Sequence, residues 1–89
     1  MNPDLPAGWT NDGQALTKTF ERDGFDGAIA FVNAVAGVAN GQNHHPDIAI
    51  SWNRVTIRTW SHDVNAITDR DAALARAIEG IGVPTAEQE

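Results

Sequence analysis

Cysteine is absent from this chain, which removes disulfides, thiolate metal sites and cysteine nucleophiles together. Basic residues are few: six lysines and arginines lie scattered singly from Lys18 to Arg76, against twelve acidic residues, for a formal net charge of −6. No basic cluster exists to displace counterions from a phosphate backbone, so a nucleic-acid partner is not expected. Long apolar runs are also missing. The longest, residues 27–39, is broken by Asn33 and falls short of the roughly 20 residues a bilayer requires, so no membrane association is expected. Met1-Asn2-Pro3-Asp4 has no basic start and no apolar run follows it, so no signal peptide is read. Neither a repeat, a linker nor a low-complexity stretch is visible. A soluble cytoplasmic protein is the plain reading.

What is present is the composition of one small globular domain, 89 residues with 42% hydrophobic and 20% charged. A chain of this size buries only about 60% of its unfolded surface, so oligomerisation would help it. Residues 1–7, with two prolines, read as an irregular lead-in. Asp12-Gly13 between Trp9-Thr10 and the run from Ala15 to Glu21 suggests a first hairpin, although Lys18 falls on the same face as Leu16 and Phe20. Ala28, Phe31, Val32, Val35 and Ala39 recur at helical spacing; with Asp26 as cap and Gly41 as stop they predict a helix over residues 27–40. Ile48, Ile50 and Trp52 alternate with Ala49 and Ser51, and Val55 and Ile57 with Thr56 and Arg58. Around an Asn53-Arg54 loop this is a second hairpin, and Trp52 reads as core. Thr68-Asp69-Arg70-Asp71 resembles a capping box ahead of Leu74, Ala77, Ile78 and Ile81. Residues 84–89 read as a frayed tail. The expected fold is α+β, order ββαββα: a four-stranded antiparallel sheet with two helices on one face and the other face open.

The three histidines lie within nineteen residues. With Asn53 and Arg54 as the loop, Trp52 pairs with Val55, Ile50 with Ile57 and Ile48 with Thr59. The ladder, continued, sets His45 opposite His62 at the open end with Cβ atoms roughly 5 Å apart. The period of two puts both on the face away from the helices, with Asp47, Ser51, Arg58 and Trp60. Neighbouring imidazoles can hold different protonation states and so pair an acid with a base. Trp60 and Trp52 add aromatic surface for a flat heterocycle. Surface histidines beside a turn explain the same pattern without any function, and His44 can serve merely to cap its loop. A metal site ranks behind both, because adjacent strand residues diverge.

From His44-His45-Pro46, Trp52 follows after five intervening residues, His62 after nine more and Asp71 after eight more. This spacing resembles the pterin-4a-carbinolamine dehydratase signature. Gly8-Trp9, Phe25, Asn53-Arg54-Val55 and the Thr68 to Asp71 box are also similar to that family, over nearly the whole chain after Pro6. A first helix of many members is missing or reduced to residues 1–7. The resemblance implies a four-stranded antiparallel sheet with helices on one face. It also implies dehydration of 4a-hydroxytetrahydropterin to quinonoid dihydropterin, which recycles the cofactor of aromatic amino acid hydroxylases. That reaction needs an acid, a base and a pterin pocket, with no metal or redox cofactor. His44, His45 and His62 carry over as the active-site histidines, His45 and His62 for proton transfer and His44 for substrate contact. Asp47, Trp60, Asp71 and Asn40 complete the expected substrate-binding set. Asp71 is both the signature's terminal acid and part of the capping box, and the box is the preferred reading. Asn40 stands where the family usually carries a charged side chain; an amide can orient a histidine but holds no charge. The family also implies a homodimer or homotetramer. Its non-catalytic members, Rubisco assembly factors or dimerisation cofactors of transcription factors, supply the alternative function.

Overall fold

The computed structural model describes residues 5–81. The expected tail at 84–89 and the first four residues of the lead-in lie outside that range. The order is β1 (Thr10–Asn11), β2 (Leu16–Glu21), α1 (Gly24–Gln42), β3 (Asp47–Ser51), β4 (Arg54–Thr59) and α2 (Asp69–Glu79). The strands form the expected single antiparallel sheet, and the structure sets their order within it as β1-β2-β4-β3. Leu16 and Phe20 of β2 and Val55 and Ile57 of β4 turn inward against Ala28, Phe31, Val35 and Ala39 of α1 and Leu74, Ala75 and Ile78 of α2. These helical positions recur every three or four residues, which places them on one stripe of each helix. Trp9 meets Phe20 edge-on, and Phe20 in turn meets Phe31, with centroids 6.0 and 4.7 Å apart. None of the described helices is long and apolar enough to cross a membrane.

Lys18, on the apolar face of β2, has a use there. Its Nζ lies 2.6 Å from Glu79 at the end of α2, donates to the Ala7 carbonyl and sits 4.7 Å above the Phe20 ring. The aliphatic stem thus covers apolar surface while the charge stays paired. Gly8 makes room for it: a Cβ at this left-handed position (φ +89°) would come within 2.8 Å of the Lys18 Cε.

Three boundaries differ from expectation. α1 starts at Gly24, so Asp23 holds the cap position and Asp26 lies in the first turn, where its charge favours the positive end of the helix dipole. The helix also runs through Gly41. The left-handed stop falls on Asn43 (φ 52°), whose amide reaches the Asn40 carbonyl, while the His44 amide reaches that of Ala39. This paired closure is a Schellman ending, with asparagine in the place glycine usually takes.

The third difference is register. The hairpin loop is Trp52-Asn53, and the ladder pairs Ile48 with Ile57, Ile50 with Val55 and Ser51 with Arg54. Asn53 is claimed by α1's entry: its carbonyl accepts from the Arg22 amide at 2.8 Å and its side-chain amide donates to the Arg22 carbonyl at 3.2 Å. Trp52 takes the left-handed conformation (φ 59°) and is 68% exposed. It is a turn residue, not core. The expected pairing of Ile48 with Thr59 is therefore shifted by two, a slip that leaves every side chain on its own face. Val55, Ile57 and Thr59 are buried; Ala49 and Ser51 are exposed on the open side.

A two-residue hairpin loop with positive φ at its first position favours glycine there. Trp52→Gly should leave thermal stability level or raise it, by up to about 1 kcal/mol. A core tryptophan would instead cost about 3–5 kcal/mol, so a thermal melt separates the two placements.

Candidate active site

The Schellman ending delivers His44 and His45 to one end of the sheet. β4 ends at Thr59 on the same side, and Ser61 closes a turn by exchanging backbone hydrogen bonds with Ala66 at 2.9 and 3.2 Å. Asn65 supplies the left-handed residue that this turn requires (φ 53°). His62 lies at its start. Asn43, His44, His45, Trp60, His62, Asp63 and Arg70 line an open pocket of about 390 Å³. All three histidines meet there, yet not by the expected route. The β3–β4 ladder begins at Asp47 and Arg58, so no strand pairing opposes His45 to His62. A helix end and a post-strand turn bring them together.

Each histidine is held differently. His44 is almost fully buried and its Nε2 lies 2.6 Å from Asp71 Oδ1. A carboxylate oxygen accepts, so Nε2 carries a proton and is committed to Asp71, which leaves Nδ1 as the ring nitrogen available to other partners. His45 is exposed, and its Nε2 lies 3.0 Å from Asn40 Oδ1. This is the orienting contact expected of an amide, and the proton again sits on Nε2. His62 packs against Trp60 with ring centroids 4.3 Å apart, and the Arg58 guanidinium lies 5.2 Å from the Trp60 ring on its strand. Arg58 is held in turn by Asp12 and Gln14 of the first hairpin.

Asp71 takes its expected place in the capping box and also meets a pocket histidine. The capping box is present: Asp71 Oδ2 accepts from the Thr68 amide at 2.9 Å, and the Thr68 side chain accepts from α2's first turn. The same carboxylate is 0% exposed and also accepts from Thr59 Oγ1 at 2.6 Å and Ser61 Oγ at 2.9 Å, besides His44. Burial pushes its pKa up, but the hydrogen bonds from Thr59, His44, Thr68 and Ser61 outweigh it and hold the carboxyl below its ordinary 3.8. Asp71 therefore touches the pocket only through His44. Asp47, expected beside the site, is exposed at the start of β3 and does not line the pocket.

Asn43, Asp63 and Arg70 escaped the sequence reading. Arg70 Nη2 donates to Asp63 Oδ1 at 2.8 Å across the pocket rim. The available signal was Arg70's place in the first turn of α2, directly before the capping acid. Among the described residues, no group of three or more His, Cys, Asp or Glu side chains is placed to hold a metal ion.

Sheet, helices and a histidine-lined pocket at the sheet's end define a small α+β protein with a candidate site. Comparison with known proteins makes the class specific. The family described as pterin 4 alpha carbinolamine dehydratase matches residues 2–81. A provisionally named pterin-4-alpha-carbinolamine dehydratase of Thermosynechococcus vestitus is 46% identical over 76 residues, 85% of this chain and 80% of that one. One of the same provisional name from Haloarcula marismortui is 39% identical over 86% of this chain and 84% of its own. The crystal structure of a transcriptional coactivator/pterin dehydratase from Brucella melitensis is similar with a TM-score of 0.77 and 30% identity, covering 84% of this chain and 82% of that one. A pterin dehydratase-like Rubisco assembly factor of the alpha-carboxysome, 19% identical, shares the fold with a TM-score of 0.65 over 81% and 83% of the two chains. This chain belongs to the pterin-4a-carbinolamine dehydratase family.

Asp71 couples the site to stability. Its carboxyl titrates lower in the folded chain than its ordinary 3.8. Its stabilisation is thus complete above about pH 4 and fades as pH falls through the folded value. Asp71→Asn should lose about 2–3 kcal/mol at neutral pH by stranding buried donors, and the difference from the native chain should shrink in melts taken below about pH 4.

Proposed function

We propose that this chain dehydrates a 4a-hydroxytetrahydropterin to the quinonoid dihydropterin, with its pocket histidines as acid and base. The reaction breaks the C4a–O bond. A proton delivered to the leaving hydroxyl makes water, a second proton leaves N5, and the N5 electron pair closes the C4a=N5 double bond. One group must give a proton and another must take one, at two points of a single flat substrate.

The observation that carries this reading is three histidines on one pocket, two of them with Nε2 held by partners of different charge. Asp71 offsets the positive charge of a protonated His44, which suits His44 to deliver the proton to the hydroxyl. His45, held by the neutral amide of Asn40, has Nδ1 free to accept, and His62 lies against the same pocket as a second acceptor. The buried ion pair thus draws His44 into the proton transfers assigned on sequence to His45 and His62. Trp60 supplies an aromatic wall beside His62, where a flat heterocycle can stack. The Arg70–Asp63 pair adds hydrogen-bonding groups at the rim. The same reading makes the chain part of cofactor recycling for aromatic amino acid hydroxylases. It also makes it a homo-oligomer joined through the edge strand β3, since an uncovered edge invites pairing.

Purified protein should accelerate dehydration of a 4a-hydroxytetrahydropterin above the spontaneous rate. His44→Ala, His45→Ala and His62→Ala should each lower that acceleration, the proton-transfer positions by about 10²–10⁴-fold. No acceleration by the folded native chain overturns the reading and puts a non-catalytic binding role in its place. Light scattering should give at least twice the monomer mass; a monomer at high concentration overturns the oligomer.

A further inference from the structure

Asp71 Oδ1 accepts two hydrogen bonds of equal length: 2.6 Å from His44 Nε2 and 2.6 Å from Thr59 Oγ1. Thr59 is fully buried at the last position of β4, in a stretch where the neighbouring inward positions are Val55 and Ile57. A third aliphatic residue would continue that apolar face. A hydroxyl costs desolvation there unless it finds a partner, and Asp71 is the partner it has. Ser61 and the Thr68 amide hold the other oxygen, Oδ2, so the carboxylate's orientation is already set without Thr59. What Thr59 changes is how much of the charge on Oδ1 reaches His44.

We propose that Thr59 is a positioning residue for the acid–base histidine, acting through Asp71: its hydroxyl shares the oxygen that binds His44 and so limits the strength of the His44–Asp71 hydrogen bond. Two donors on one acceptor divide its negative charge, and removal of one strengthens the other. A stronger Nε2–H bond to the carboxylate stabilises the His44 imidazolium, which then gives up its Nδ1 proton to the substrate less readily. Thr59 does not line the pocket, so its effect falls on turnover and not on binding. The charged and titratable side chains that share the pocket with His44 are His45, His62, Asp63 and Arg70. None of them contacts Asp71 Oδ1 in the hydrogen-bond network, which isolates the Thr59 effect. The turnover half of this inference rests on the proposed dehydratase reading; the hydrogen-bond half does not.

The test is proton and nitrogen NMR of the His44 ring in the native chain, Thr59→Val and Thr59→Ser, beside steady-state dehydration kinetics. In Thr59→Val the His44 Nε2–H resonance should move downfield, as it does when a hydrogen bond shortens. Its kcat should fall by about 2- to 10-fold, the rate equivalent of one hydrogen bond, with KM nearly unchanged. Thr59→Ser, which keeps the hydroxyl, should restore both. If the valine variant does not fold, Thr59→Cys, whose thiol is a weak donor of similar size, makes the same comparison. An unmoved Nε2–H resonance in a folded variant overturns the proposal. A resonance that moves while kcat holds overturns the link to turnover. A resonance that moves in a protein whose native form shows no dehydration supports the positioning by Thr59 and overturns the dehydratase reading.

Discussion

A carboxylate buried away from water must be met by donors from every direction, and in this fold Asp71 collects them from four separate places. Thr59 reaches it from the end of β4, Ser61 from the following turn, the Thr68 amide from the cap of α2 and His44 from beyond the end of α1. Each donor belongs to a different part of the chain, so the acid forms its full set only when sheet, turn and both helices have taken their places. The pocket lies directly above this junction. Burial opposes the charge, and the hydrogen bonds outweigh burial, which keeps a charged partner beside His44.

Around that junction the fold does ordinary work. Apolar stripes on α1 and α2 cover the inward residues of β2 and β4, and the opposite face of the sheet stays polar. Lys18, a charged residue on the apolar face, is tied to Glu79, which also accepts from the Trp9 indole at 2.9 Å. The lead-in, β2 and the last turn of α2 are thereby fastened at a single carboxylate, a smaller and more exposed counterpart of Asp71.

Much of this was legible in the residues, because it rests on local periodicity. The helical spacing from Ala28 to Ala39, the alternation on β4 and the capping box at Thr68 are each readable within one element, and the architecture follows from their order. The histidine cluster was legible as a spacing, and the resemblance it carries led to the family. What escaped was decided between elements. The Asn53 carbonyl and side chain are claimed by Arg22, thirty-one positions earlier, and no reading of the hairpin alone reveals why its loop shifts to Trp52. Gly41 looked like the helix stop because glycine is cheap in the left-handed region, whereas Asn43 holds that conformation with its amide and that of His44 paired. Asp71 was weighed as a cap or as a site residue, when its two oxygens allow both.

The ending at Asn43 reaches further than helix geometry. The residue that reverses the chain is also part of the pocket wall, and the next two residues are the first histidines of the site. Few side chains tolerate a left-handed backbone, so this stretch of wall is barred from the free variation by which binding sites ordinarily acquire new specificities. Divergence toward other ligands has its room on the far rim, at Asp63 and Arg70 on the surface of the turn and of α2, where side chains can be exchanged without redirecting the chain. The pocket thus has one wall constrained by its backbone and one wall that is not.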